Sequence, residues 1–245
     1  MSKKFVITGG AGFIGSNLAE ALANENEVVV IDDLSTGMAE NLAGLEVQLL
    51  KGCITDFGLL KDAFEGADCI FHQAGIASVK KSIEDPVRTD EVGIEGTLKV
   101  LIAAKDAGVR RVILASSAAV YGSSPELPKK EDMMPEPKSP YAVTKLAGEH
   151  YARVFRELYG LETVALRYFN VFGPKHRLCS GLQHRGRAEG DNPLVSTRKE
   201  FKFEGKGFAF GVRRETVSFG SKGSSRSRSQ KTVVHNVEEV FGLRS

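Results

Sequence analysis

Apolar positions follow two rhythms over the first 174 residues. Lys3–Thr8 reads as a short apolar strand, Gly9–Gly15 as a glycine turn, and Phe13–Ala23 as a helix with Phe13, Ile14, Leu18 and Leu22 at helical spacing. Glu27–Ile31 (Glu-Val-Val-Val-Ile) is a nearly continuous apolar run, the mark of a parallel strand covered on both faces. The alternation continues with strands at Val47–Leu50 and Cys69–His72 around a helix at Phe57–Phe64, then a long helix from about Asp85 to Ala107. A strand at Arg111–Ala115, a helix at Tyr141–Tyr159 and a strand at Thr163–Arg167 complete it. Strands and helices in turn, joined by right-handed crossovers, predict an α/β fold with a doubly wound parallel sheet.

Beyond Pro174 the rhythm stops. Ser221–Ser229 is low-complexity, and poor order is expected from there on. The charge changes at the same place. Residues 1–174 hold 18 Lys and Arg against 24 Asp and Glu, a balance of −6, while residues 175–245 hold 15 against 7, a balance of +8; the overall +2 hides the split. The reading is therefore an acidic, enzyme-like domain at 1–174 and a basic tail at 175–245. No apolar run approaches the ~20 residues that span a bilayer, so no membrane partner and a cytoplasmic protein are expected. Cys53, Cys69 and Cys179 form no Cys-x-x-Cys pair, which points to neither a disulfide framework nor a metal site.

Gly9-Gly10-Ala11-Gly12-Phe13-Ile14-Gly15 lies between the first strand and the first helix, the place of a dinucleotide-binding turn in a Rossmann-type sheet. Gly9 permits the tight turn, Gly12 lets backbone approach a pyrophosphate at the helix N-terminus, and Gly15 lets the helix pack close to the sheet. Asp32, about twenty residues on, closes the second strand where a carboxylate accepts hydrogen bonds from the adenosine ribose. With Asp33 beside it and no arginine in Leu34–Gly37, a 2′-phosphate is disfavoured, so the cofactor is NAD rather than NADP.

Ser116 and Ser117 fall just past the strand at Arg111–Ala115, and Tyr141 and Lys145 stand four apart at the start of a helix, on one face. An ammonium beside a phenol favours the phenolate, and a serine hydroxyl can hydrogen-bond the same substrate oxygen. Ser117, Tyr141 and Lys145 are thus the candidate catalytic set for alcohol oxidation. His72, at the end of a buried strand, reads as a structural histidine rather than an acid.

With Thr8–Gly15, Ala115-Ser116-Ser117-Ala118-Ala119-Val120-Tyr121-Gly122, Tyr141–Lys145 and Arg167-Tyr168-Phe169-Asn170-Val171-Phe172-Gly173-Pro174 in this order, residues 3–174 resemble the extended short-chain dehydrogenase/reductases. Within them the chain is most similar to the UDP-glucose 4-epimerase branch of the NAD-dependent epimerase/dehydratase family. The resemblance implies that Tyr141 takes the sugar 4-hydroxyl proton while hydride passes from C4 to NAD. Return of hydride to the other face of the rotated 4-keto sugar then inverts C4. It also implies cofactor contacts from Phe13, Ile14, Asp33, Ile54, Gln73, Ala74, Tyr141 and Lys145 besides Gly9, Gly12, Gly15 and Asp32, with Tyr168 near the nicotinamide. Substrate contacts fall to Ser78 at the sugar pocket, Ser117, and Asn170 near the diphosphate. A nucleotide sugar is the implied partner, and a homodimer paired through the long helix and the Tyr141–Lys145 helix the implied assembly. Family dehydratases place acidic residues directly after the catalytic Ser or Thr. Here Ala118-Ala119 stand there, which favours epimerisation.

The chain departs from the family in three places. Cys53 replaces the Asp of a Gly-Asp-Ile motif that contacts adenine. Gly93 replaces an Asn in the long helix, at a cost of roughly 1 kcal/mol in helix propensity. Beyond Pro174 the Gly-Asp-Gly and Arg-Asp-Phe segments of the substrate lobe are missing, so that lobe reads as truncated or disordered. Arg177–Gly181 admits codons that, read one base later, spell Ala-Tyr-Ala-Ala-Val, a family-like segment; a shifted reading frame is one origin for the tail. The alternatives to an active epimerase are a catalytically impaired NAD-binding fragment, or a non-catalytic NAD-binding protein whose basic tail meets nucleic acid or an acidic partner. Nucleic acid is disfavoured because the tail lacks aromatics at a recognisable binding spacing. From Cys53, NAD binding weaker than in relatives with Asp is predicted; a calorimetric titration giving micromolar or tighter binding would count against it.

Overall fold

The computed structural model describes residues 2–169 and 171. The basic tail, its expected poor order and its proposed reading-frame origin lie outside the described residues, as does Asn170. Six strands, β1 (Lys4–Thr8), β2 (Glu27–Asp32), β3 (Gln48–Lys51), β4 (Cys69–His72), β5 (Arg111–Ser117) and β6 (Glu162–Tyr168), form one parallel sheet in the order β3-β2-β1-β4-β5-β6. This is the doubly wound Rossmann order, with its switch point between β1 and β4.

Successive side chains on a strand face opposite sides, and each side has its own core. Val6, Val29, Ile31, Ile70, Val112 and Leu114 pack with Leu60 and Phe64 of α2 (Phe57–Phe64), with Leu101 of α5 (Thr97–Asp106) and with Phe155 of α6 (Pro140–Tyr159). On the other side Phe5, Ile7, Val28, Val30, Phe71 and Ile113 meet Leu18 and Leu22 of α1 (Phe13–Leu22). Two covered faces explain why these strands read as unbroken apolar runs. No helix among the described residues is long and apolar enough to cross a membrane.

Most element ends fall within a residue of those expected, and two differences have local causes. Ser116 and Ser117 are the last residues of β5 rather than just past it, because β6 runs far enough to pair with both. The single long helix expected from Asp85 to Ala107 is instead α4 (Pro86–Asp90), a wide π turn (Glu91–Gly96) and α5, preceded by a separate α3 (Val79–Glu84) that the pattern did not reveal. Ser78 caps α3 by accepting from Lys81 N at 3.2 Å, and Asp85 caps α4 by accepting from Arg88 N at 3.0 Å, with Pro86 opening the helix.

The π turn surrounds Gly93, and a contact with α6 adds to the expected propensity cost and lost polar side chain. A Cβ at Gly93 would lie 2.7 Å from Thr144 Cβ on α6, so the missing side chain is what lets the two helices approach. Helix propensity alone anticipates that Gly93→Ala gains about 1 kcal/mol. The contact predicts a loss of about 1–3 kcal/mol through overpacking. Urea unfolding decides between them by the sign of the change.

Candidate functional site

At the C-terminal end of β1 the chain turns in a space too small for side chains. Gly9 has φ +69°, donates its N–H to Ile31 O at 2.7 Å, and a Cβ there would stand 2.6 Å from Ala74 N. A Cβ at Gly15 would be 2.3 Å from Gly9 O, and one at Gly10 would be 2.5 Å from a Val30 methyl. The turn thus presses against both β2 and the Gln73-Ala74 segment that follows β4. Helix α1 then starts at Phe13 with Gly12 as its cap, no side-chain cap and no acidic residue in the first turn. Its leading amides and dipole are left to an outside anion, which fits the pyrophosphate of a dinucleotide.

Asp32 is buried rather than solvated, 7% exposed. Its Oδ2 accepts from Ala11 N at 2.9 Å and its Oδ1 from Leu34 N at 2.8 Å, so it clamps the glycine turn to the loop after β2. Burial raises its pKa, those two hydrogen bonds oppose the rise, and neighbouring Asp33 adds to it. Each carboxylate oxygen keeps a lone pair for a ribose hydroxyl. Asp33 is exposed and closes a turn by accepting from Ser35 N and Oγ. Ile54 is buried against the π turn; a Cβ on Gly96 would lie 2.8 Å from its Cδ1. Cys53 Sγ accepts from Arg88 Nη2 at 3.9 Å, so the residue that replaces the family's Asp is engaged by a guanidinium.

On the other side of the switch point, α6 delivers Tyr141 and Lys145. Ser139 caps the helix by accepting from Ala142 N at 3.2 Å, and Pro140 opens it. The Lys145 ammonium donates to Ala115 O at 2.8 Å and sits 5.8 Å from the Tyr141 ring centroid. Burial pulls its pKa down to about 8, leaving it a cation at neutral pH. Ala115 lies two residues before Ser117, whose hydroxyl accepts from Ala119 N at 3.1 Å and whose ladder partner is Tyr168. Burial pushes the Tyr168 phenol up to about 12, with the Gln73 side chain opposing the rise. Tyr168 therefore stays protonated, and the ammonium stands next to Tyr141 instead. Ser78 lies at the start of α3, its hydroxyl engaged as a cap. Among the described residues no three metal-ligating side chains cluster.

Two buried networks behind these residues escaped the sequence reading. His72 Nδ1 lies 2.7 Å from Thr8 Oγ1 and Nε2 lies 3.0 Å from Thr97 Oγ1, while Thr97 donates to Gly93 O at 2.7 Å. Thr97 therefore accepts from Nε2–H and Thr8 donates to Nδ1, which leaves one neutral tautomer. The second network joins Glu149, one turn beyond Lys145, to Ser116 and Arg167. Its signal was in the sequence, since Tyr141, Lys145 and Glu149 continue a single four-residue spacing.

A glycine turn thus lies at a Rossmann switch point, with a half-buried lysine and its tyrosine at the end of β5. The chain belongs to the NAD dependent epimerase/dehydratase family. The family's profile matches residues 5–188, extending past Pro174, and the family's dinucleotide is the expected NAD. The UDP-glucose 4-epimerase of Mycolicibacterium smegmatis is 44% identical over 179 residues, covering 69% of this chain and 56% of that protein. Among solved structures, the UDP-N-acetylglucosamine 4-epimerase of Methanobrevibacter ruminantium M1, in complex with UDP-N-acetylmuramic acid, matches with a TM-score of 0.69 at 44% identity. It covers 71% of this chain and 56% of its own. The Thermus thermophilus UDP-glucose 4-epimerase in complex with NAD gives a TM-score of 0.66 at 43% identity, covering 70% and 57%. The chain thus spans little more than half the length of these relatives.

Burial, and then the nearby Lys145 charge, lower the His72 pKa to about 3, against about 6.5 in the unfolded chain. The unfolded state therefore binds the extra proton between these values. The associated stability is fully present above about pH 6.5 and is lost as pH falls toward 3, with a slope of up to about 1.4 kcal/mol per pH unit. His72→Gln should remove that slope, read by denaturant unfolding across this range; an unchanged slope would show that other groups cause it.

Proposed function

We propose that this chain carries the cofactor and proton-transfer half of an NAD-dependent nucleotide-sugar 4-epimerase acting on UDP-glucose or UDP-galactose type substrates. The observation that carries the reading is the half-buried Lys145 ammonium, held on Ala115 O and set against the Tyr141 ring at the end of β5, where Ser117 is followed by alanines. Bound NAD supplies the reversible hydride chemistry. Gly9, Gly12, Phe13, Ile14 and Gly15 receive its pyrophosphate, Asp32 its adenosine ribose, and Tyr168 borders its nicotinamide.

Tyr141 takes the proton of the sugar 4-hydroxyl and later returns it. Lys145 favours the phenolate form that does so, and the Ser117 hydroxyl holds the same oxygen. With Ala118 and Ala119 next to Ser117, no carboxylate stands there to expel a neighbouring hydroxyl, so proton and hydride can only go back to the carbon and oxygen they left. Ser78 and Asn170 are the proposed substrate contacts. Exposed Val143, Val154 and Leu158 on α6, with Ile83 and Val87 on the adjoining α3 and α4, support pairing of two copies through these helices.

The 56% coverage of the relatives favours one second reading, a chain that holds NAD without turnover. Incubation with UDP-glucose and UDP-N-acetylglucosamine separates the two. The proposal expects the 4-epimer, with kcat lowered about 10²–10⁴-fold in Tyr141→Phe. NAD binding without product would replace it with the second reading.

A further inference from the structure

Tyr141, Lys145 and Glu149 stand on successive turns of α6 and share one face. The first two carry the proposed chemistry; the third does something the chemistry does not require. Glu149 Oε1 accepts from the Ser116 hydroxyl and from Arg167 Nε at 2.9 Å, while Oε2 accepts from Arg167 Nη2 at 2.8 Å. Both charged side chains are largely shielded, at 14% exposure for Glu149 and 16% for Arg167. Ser116 and Arg167 are ladder partners on β5 and β6, one rung before Ser117 and Tyr168. Arg167 is itself held from the far side, its guanidinium carbon 4.8 Å over the Tyr121 ring and Nη1 donating to Glu131 O at 3.2 Å.

The carboxylate therefore ties the helix to two strands directly behind the rung that carries Ser117. Lys145 on Ala115 O is a second tie, one helical turn nearer the phenol. Two ties on one face, a turn apart, fix both the slide and the roll of α6 against β5.

We propose that Glu149 is a positioning residue for Tyr141: through Ser116 and Arg167 it sets the register of α6 on the ends of β5 and β6, and with it the place of the phenol relative to Ser117. For the role of Tyr141 this rests on the epimerase reading. Replacing Glu149 alone leaves a shielded guanidinium without its partner and confuses misfolding with misplacement. Replacing both charged partners by apolar residues of similar size avoids that, because a buried ion pair exchanged as a unit is often neutral or stabilising.

The test is the full-length double variant Glu149→Met with Arg167→Met, beside Ser116→Ala. It is read by melting temperature, by kcat and KM for the UDP-sugar, and by NMR titration of the Lys145 ε-methylene. The expected result for the double variant is a melting temperature close to the parent's, a kcat lower by about 10²-fold and a KM within about threefold, as misplacement by about 1 Å produces. Lys145 should titrate at about 8 in the parent and move toward the ordinary lysine value of about 10.4 in the double variant. Parent-like kcat and parent-like Lys145 titration in a folded double variant would overturn the proposal and leave the pair a purely structural one. If the double variant does not fold, Ser116→Ala decides. A lower kcat at unchanged melting temperature supports positioning, and an unchanged kcat overturns it. If the parent makes no epimer, the epimerase reading falls, and the Lys145 titration alone then settles the positioning role.

Discussion

Everything at the crevice depends on the absence of three Cβ atoms where the chain leaves β1. Gly9, Gly10 and Gly15 bring the turn within contact of β2, of the segment after β4, and of its own start. Because β1 and β4 are neighbours from which the chain winds in opposite directions, their loops part and leave an opening at this one place. A side chain at any of the three would push α1 away from the sheet and move its leading amides off the line of that opening. Asp32 secures the same turn from the β2 side, so the group proposed to receive the ribose also holds the shape of the pyrophosphate cradle.

The opposite wall is organised around one buried cation. Lys145 donates its ammonium to Ala115 O, and burial pulls its pKa only as far as about 8, so it stays charged at neutral pH. His72 is kept neutral by burial and then by that same charge, while its threonine partners on β1 and α5 fix its tautomer. The other charges nearby, Glu149 and Arg167, cancel within a single bidentate pair. The site is thus electrostatically simple: one ammonium beside one phenol, with the remaining charge paired or suppressed.

Much of this was legible because period and motif coincide. Strands buried on both faces announce themselves as apolar runs, and the glycine turn is recognisable by its position between strand and helix. What stayed hidden depends on contacts between segments distant in sequence. The π turn at Glu91–Gly96 surrounds Gly93, where Thr144, about fifty residues away, leaves no room for a side chain, a contact that helical periodicity does not show. Asp32 was legible as a ribose-binding carboxylate at a strand end, but nothing local reveals that Ala11 and Leu34 also fold over it. Glu149 lay in plain view one turn past Lys145, yet its partners Ser116 and Arg167 become neighbours only when β6 pairs with β5.

Inversion at a carbon requires that both faces of the sugar ring be offered to the same hydride carrier and the same base. On the epimerase reading the base side of this chain is held in place. Tyr141 stands on a helix tied at Ala115 and Ser116, and the pyrophosphate cradle is wedged between strands. On that reading, rigid chemistry on the protein side leaves the turning to the sugar, held at its diphosphate and loose at its ring. A loosely held ring gains little binding energy from this crevice, so affinity has to come from the nucleotide end of the substrate. On the epimerase reading, that division leaves the proton and hydride chemistry to the sheet and its helices, and recognition of the nucleotide to residues outside this rigid frame.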